Sequence, residues 1–155
     1  MITASIILIL LVAADQIIKY LTIVMLNPVS TKVLLKGVLS LTYVENRGAA
    51  FGMMQNSRWV FILLTVAIIA VIIAYRIKSG ENSRLFVSAA VLLISGGIGN
   101  LIDRIFRGYV VDMIQVTFID YPVFNFADCC VVIGAVLMCL YVLRKDGSDS
   151  KEKNS

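Results

Sequence analysis

Histidine is absent from the 155 residues. That removes imidazole general bases, histidine-ligated haem and the usual zinc sites, and no metal or other cofactor is expected. Proline is scarce, with two in the chain, so long helices can run without the break that proline imposes. Charged residues reach only 15%, against roughly 25% in an ordinary soluble domain. The three cysteines, Cys129, Cys130 and Cys139, all fall in one apolar segment. Adjacent cysteines are poor partners for each other and apolar burial leaves thiols inert. A secreted disulfide framework is therefore excluded, and these cysteines are read as packing.

Apolar surface is what the chain has in excess: 59% of residues are hydrophobic and the mean hydropathy is +0.91. A soluble domain carries about 45–50%, and a chain this short cannot hide the surplus from water. In a bilayer the lipid is the solvent and the surplus is no burden. The formal net charge of +4 would suggest nucleic acid in a soluble protein. Here the basic residues lie mostly in loops and tail, so membrane topology accounts for them and no nucleic-acid partner is expected.

The sequence predicts one membrane domain over residues 1–155, with spans at about 2–26, 58–76, 85–105 and 122–143, an extracytoplasmic loop at 27–57 and a cytoplasmic tail at 144–155. The fold class is an all-α membrane protein: four transmembrane helices with a small extracytoplasmic β platform. The first span has an uncharged run, Ile2 to Ala14, before Asp15 and Lys19. It lacks the basic n-region of a cleavable signal and is read as a retained anchor. Asp15 and Lys19 are one helical turn apart and can neutralise each other. Asn27-Pro28 ends the helix.

In the loop, Leu39 to Val44 alternates like a strand, and the polar turn Glu45-Asn46-Arg47-Gly48 follows. Phe51, Met53 and Met54 are expected to touch lipid or substrate. Trp59 and Tyr75 bracket the second span as interface anchors. The third span is rich in small residues that let membrane helices approach closely. Its Gly97-Ile98-Gly99-Asn100 has no preceding strand and no following glycine, so it is not a dinucleotide loop. Gly108 to Phe118 has strand-like composition. Tyr121-Pro122 marks the start of the fourth span, and the charged tail is expected to be disordered.

With four spans, both termini share a side. The 76–84 turn and the tail pack Arg76, Lys78, Arg84, Arg144, Lys145, Lys151 and Lys153 into short stretches. The opposite loops spread Lys32, Lys36, Arg47, Arg58, Arg104 and Arg107 over much longer ones. The positive-inside rule then puts both termini in the cytoplasm.

Polar groups inside such spans are costly and mark function by default. They concentrate between Ser95 and Asp128: Asn100, Asp103, Arg104, Asp112, Asn125 and Asp128. With Lys19, Asn46 and Arg47 they converge on one end of the bundle. Asp120 has no supporting context and is left as solvated. Without histidine, and with inert cysteines, two chemistries remain. One is a serine–lysine dyad in which Lys19 activates Ser95 or Ser40. The other is a carboxylate pair, Asp112 and Asp128. Two close carboxylates share a proton, so the ionised member can take a proton from water while the protonated member polarises a carbonyl. The same groups could instead form an ion relay in a small transporter, or be plain helix-end charges in a scaffold.

Five blocks in order resolve this choice. They are Asp15-Gln16-Ile17-Ile18-Lys19, Asn46-Arg47-Gly48-Ala49-Ala50-Phe51, Gly96-Gly97-Ile98-Gly99-Asn100-Leu101-Ile102-Asp103-Arg104, Val110-Val111-Asp112 and Phe124-Asn125-Phe126-Ala127-Asp128. Together they resemble the bacterial lipoprotein signal peptidase (signal peptidase II) family over nearly the whole chain. The resemblance implies a membrane aspartyl endopeptidase. Such an enzyme removes signal peptides from diacylglyceryl-modified prolipoproteins by cutting before the lipidated cysteine. It implies a multi-pass protein of the bacterial cytoplasmic membrane with its active site near the outer face, and membrane lipids as surroundings. By position, Asp112 and Asp128 fall on the catalytic pair. Asn46, Gly48, Asn100, Arg104, Asn125 and Ala127 fall on substrate-binding or supporting positions, and Asp15, Lys19 and Asp103 on structural support. Two departures stand out. Met113 follows Asp112 where the family pattern leads one to expect an aromatic, and Cys129-Cys130 follows Asp128 where small residues are expected. Both bear on substrate fit before chemistry.

Overall fold

A computed structural model describes residues 2–27, 31–48, 54–55 and 57–152, with side chains to residue 146. Four helices in it are long and apolar enough to cross a membrane: α1 (Ile2–Leu26), α2 (Arg58–Ser79), α3 (Arg84–Phe106) and α4 (Phe126–Glu152). Three strands, β1 (Thr31–Leu35), β2 (Leu39–Asn46) and β3 (Val110–Val116), form one sheet in the order β1-β2-β3. The expected fold class is borne out.

Helix α3 lies at the centre and touches the other three. Its glycines permit this. A Cβ on Gly99 would stand 2.5 Å from Asp15 Oδ2 on α1 and 3.2 Å from Ala127 Cβ on α4. Only a residue without a side chain lets these helices meet there. The outer faces of α1, α2 and α4 present isoleucine, leucine and valine outward, as expected when lipid supplies the apolar surroundings. Most exposed of all is α2, which buries only Ile62.

The helix ends follow local chemistry. Gly80, in the left-handed region at φ +65°, ends α2, and its N–H donates to the Arg76 carbonyl at 3.0 Å. The Ser83 hydroxyl caps α3 by accepting from the Phe86 N–H. Two boundaries differ from the sequence reading. Helix α4 starts at Phe126 rather than Pro122, because Phe124 pairs with Ile114 on β3: each N–H donates to the other's carbonyl, at 3.0 and 2.7 Å. At its other end α4 stays helical to Glu152, through a stretch expected to be disordered. Arg144 and Lys145 are good helix formers, and no proline intervenes.

The strands join antiparallel, with Val44 opposite Asp112 and Asn46 opposite Val110. Val110, Val111, Asp112 and Met113 are buried, whereas every residue of β1 is exposed. The sheet is thus rooted in the bundle through β3 and open at β1. The expected strand at 39–44 falls within β2, and the strand-like stretch at 108–118 contains β3. Phe51 and Met53 lie outside the described residues. Met54 is exposed and adopts φ 52°.

Candidate active site

The polar residues singled out above meet at one end of the bundle, where α1 and α3 finish and α4 begins. Asp128 sits in the first turn of α4, and the local sequence sets its orientation. Asn125 Oδ1 accepts from the Asp128 N–H at 2.9 Å, and Asp128 Oδ2 accepts from the Asn125 N–H at 3.1 Å. This is a reciprocal cap, and it fixes one carboxylate oxygen while the helix dipole favours its charge. The other oxygen, Oδ1, accepts from Asn100 Nδ2 at 2.8 Å.

Asp112 comes from β3. Its Oδ1 accepts from Asn125 Nδ2 at 2.6 Å and its Oδ2 from Asn46 Nδ2 at 2.9 Å. Asn125 therefore touches both carboxylates, one through its side-chain amide and one through its backbone. The same Nδ2 also donates to Asn100 Oδ1 at 3.1 Å. Asp112 is buried and Asp128 only half so. Burial, and next the negative charge of Asp128, push the Asp112 carboxyl up to about 7, against the pull of Asn46 and Asn125.

Beneath the pair lies a buried ion cluster. Lys19 Nζ is 2.9 Å from Asp15 Oδ2, 3.0 Å from Asp103 Oδ2 and 2.9 Å from Asn100 Oδ1. Arg107 pairs with the other oxygen of Asp103. Two cations thus balance two carboxylates in a region where an unpaired charge would be very costly. The cluster also holds the backbone: Asp15 Oδ1 accepts from the Ala127 N–H at 3.0 Å and Asp103 Oδ2 from the Val111 N–H at 3.1 Å. Each acid thereby grips the chain next to one member of the Asp112–Asp128 pair. The expected Asp15–Lys19 contact is present.

Arg104 stands at the rim. Its guanidinium lies 4.9 Å from the centre of the Phe61 ring and donates to the carbonyls of Gly48 and Asn100 at 3.4 and 3.5 Å. The Gly48 N–H in turn donates to Asn46 Oδ1 at 3.0 Å. All the expected site residues are therefore assembled in one place.

Three groups were missed by the sequence reading. Arg107 was assigned to the loop, although it stands one helical turn from Asp103. Gln16 donates to Asp15 Oδ2 and to the Gly99 carbonyl, each at 3.1 Å; its place beside Asp15 within the first of the five blocks was the available signal. Phe61, in an apolar run, gave none. The serine–lysine dyad finds no support, because oxygens surround the Lys19 ammonium and engage its three N–H donors. Ser95 donates to the Leu92 carbonyl at 3.1 Å. The three cysteines are free thiols. Among the described residues no group of three acids, cysteines or histidines could hold a metal.

Four apolar spans, with buried carboxyls and amides gathered at one end, define a multi-pass membrane protein with the groups of an aspartic hydrolase. Residues 7–144 match the family of signal peptidase (SPase) II. The chain is 40% identical over 136 residues to a lipoprotein signal peptidase of Streptococcus thermophilus, covering 88% of this chain and 89% of that one. It is 44% identical over 138 residues to that of Clostridioides difficile, covering 88% and 92%. A bacterial membrane enzyme solved by the in meso method at 2.3 Å resolution superposes with a TM-score of 0.86 at 30% identity, over 94% of this chain and 90% of that one. A second, at 1.9 Å, gives 0.82 at 30% identity, over 91% and 92%. The chain belongs to the signal peptidase II family of aspartic-type peptidases.

Proposed function

We propose that this protein is the peptidase that removes signal peptides from prolipoproteins, with Asp112 and Asp128 as its catalytic pair. The observation that carries the reading is Asn125, whose amide and backbone N–H bind one carboxylate each. A substrate amide entering beside it meets both acids at once. Asp112, the more buried, holds the proton and donates a hydrogen bond to the scissile carbonyl. Asp128, ionised, takes a proton from water as that water attacks the carbonyl carbon. The tetrahedral intermediate collapses when Asp128 passes that proton to the amide nitrogen and the C–N bond breaks, which leaves Asp128 ionised again. No metal and no covalent enzyme intermediate enter the reaction.

The substrate is read as a precursor whose cysteine already bears a diacylglyceryl group, cut on the amino side of that cysteine. A site at one end of an apolar bundle meets such a bond without drawing acyl chains out of the bilayer. Asn46, Gly48, Arg104 and Asn100 line it, with spare amide and guanidinium donors for the peptide backbone. Ala127 and Asn125 position Asp128, while Asp15, Lys19 and Asp103 hold the floor. Both termini face the cytoplasm, which sets the site near the outer face.

The test uses pure protein, one diacylated precursor and its unlipidated twin. Asp112→Asn and Asp128→Asn should each lower cleavage by about 10²–10⁴-fold or more, with thermal unfolding in detergent little changed. Cleavage retained by both variants would remove the assignment.

A further inference from the structure

At the end of the bundle away from the carboxylates, α1 and α3 do not close against each other. A cleft of about 920 Å³ opens there, walled by Ile7 and Leu11 of α1 and Val91 of α3, with Arg76, Asn82 and Arg84 also lining it. A narrower cleft of about 250 Å³ lies beside it among α1, α2 and α3. Arg76 lines both clefts. From Thr3 to Leu11 the wider one is roughly 12 Å deep at the helical rise per residue.

The charge at this end is unbalanced. Arg76 donates to Asn82 Oδ1 at 3.2 Å. Among the described residues neither Arg76 nor Arg84 has a carboxylate within 4.0 Å. Glu81, in the same turn, is held elsewhere, accepting from the Tyr141 hydroxyl at 2.6 Å and the Ser83 N–H at 2.8 Å. Two guanidinium groups therefore stand where two apolar clefts reach the end of the bundle.

We propose that this is a binding site for an anionic two-chain phospholipid of the leaflet that the α2–α3 turn faces. The phosphate sits between Arg76 and Arg84, and one acyl chain lies in each cleft. Guanidinium suits phosphate through paired, charge-assisted hydrogen bonds, and basic pockets between membrane helices select anionic headgroups. A zwitterionic headgroup brings a cation to the same place and is disfavoured. The site rests on the membrane-spanning architecture alone and is independent of the catalytic assignment.

Native mass spectrometry of the full chain in detergent tests it, with phosphatidylglycerol and phosphatidylcholine of identical chains as probes. The wild type should retain phosphatidylglycerol on the order of tenfold more than phosphatidylcholine. Arg76→Gln with Arg84→Gln should bring the ratio to about one, with the thermal unfolding midpoint in detergent unchanged as proof of folding. Ser88→Phe keeps both arginines but fills the wider cleft, and should also reduce retention. Equal retention of the two lipids by the wild type would overturn the proposal. So would full retention in the double variant, displacement by millimolar inorganic phosphate, which marks a free-anion site, or a dimer abolished by Ser88→Phe, which marks a protein contact.

Discussion

The proton on Asp112 is set by opposing forces that can be named. Burial disfavours the charged form most, and the Asp128 charge adds to it. Hydrogen bonds from Asn46 and Asn125, and the Lys19 charge, favour ionisation. Burial and repulsion prevail, so the carboxyl keeps its proton up to about pH 7. On the proposed assignment, below that pH Asp112 is ready to donate a hydrogen bond; above it Asp112 is ionised and the donor is lost. The rate of cleavage should therefore fall about tenfold per pH unit as pH rises above roughly 7. Initial rates of precursor cleavage between pH 5 and 9 would check this; a rate that climbs through pH 8 would make Asp112 the base instead. Much at this scale was readable beforehand. Asp15 and Lys19 pair because their spacing puts them on one helix face. Asp103 and Arg107 have the same spacing, but Arg107 is the residue just past the end of α3 and was taken with the loop. The Asn125–Asp128 cap was hidden because Pro122 pointed to an earlier helix start.

Among the elements, α3 is where packing and chemistry meet. Gly99 admits Asp15 and Ala127 against the helix, and Asn100 and Asp103 follow it toward the site. Gly99→Leu would force α1 and α4 away and break the Asp15 contact with the Ala127 N–H. Overpacking typically costs about 1–3 kcal/mol, and loss of a buried carboxylate's hydrogen bond adds to that. The thermal unfolding midpoint in detergent should drop, and cleavage should fall further than stability alone explains. Gly37→Ala, at a turn where an added Cβ meets nothing within 4 Å, is the control. It probes a φ of +75° but no packing, so cleavage should hold. Strand legibility followed periodicity. Residues 39–44 alternate and were legible as β2. In β1 the run Val33-Leu34-Leu35 does not alternate, and all of it is exposed, so no one-sided pattern existed to find. The end of α4 was missed for a different reason, since composition speaks for solvation and does not by itself break a helix.

For the whole molecule the proposed direction rests on charge. The basic residues bunched at the α2–α3 turn and after α4 would put that end in the cytoplasm under the positive-inside rule. In a variant with its native cysteines replaced, Lys36→Cys in the β1–β2 turn should react with an impermeant maleimide on intact cells. A C-terminal tag should resist external protease until the membrane is opened. The reverse pattern would put the sheet and the carboxylates on the inner face. That four spans exist was plain from hydrophobicity, because bilayer thickness fixes their length. Which residues converge at one end was legible too, since span boundaries dictate depth. How the helices turn about their axes was not, as glycine spacing alone does not say which neighbour fills the gap.

The site draws Lys19 and Asp15 from α1 and Asp128 from α4, more than a hundred residues later in the order of synthesis. On the proposed assignment, until α4 is threaded into the bilayer the nascent chain has one member of the Asp112–Asp128 pair and lacks the other. A cell making this protein one span at a time would then carry no half-built cutter in its membrane.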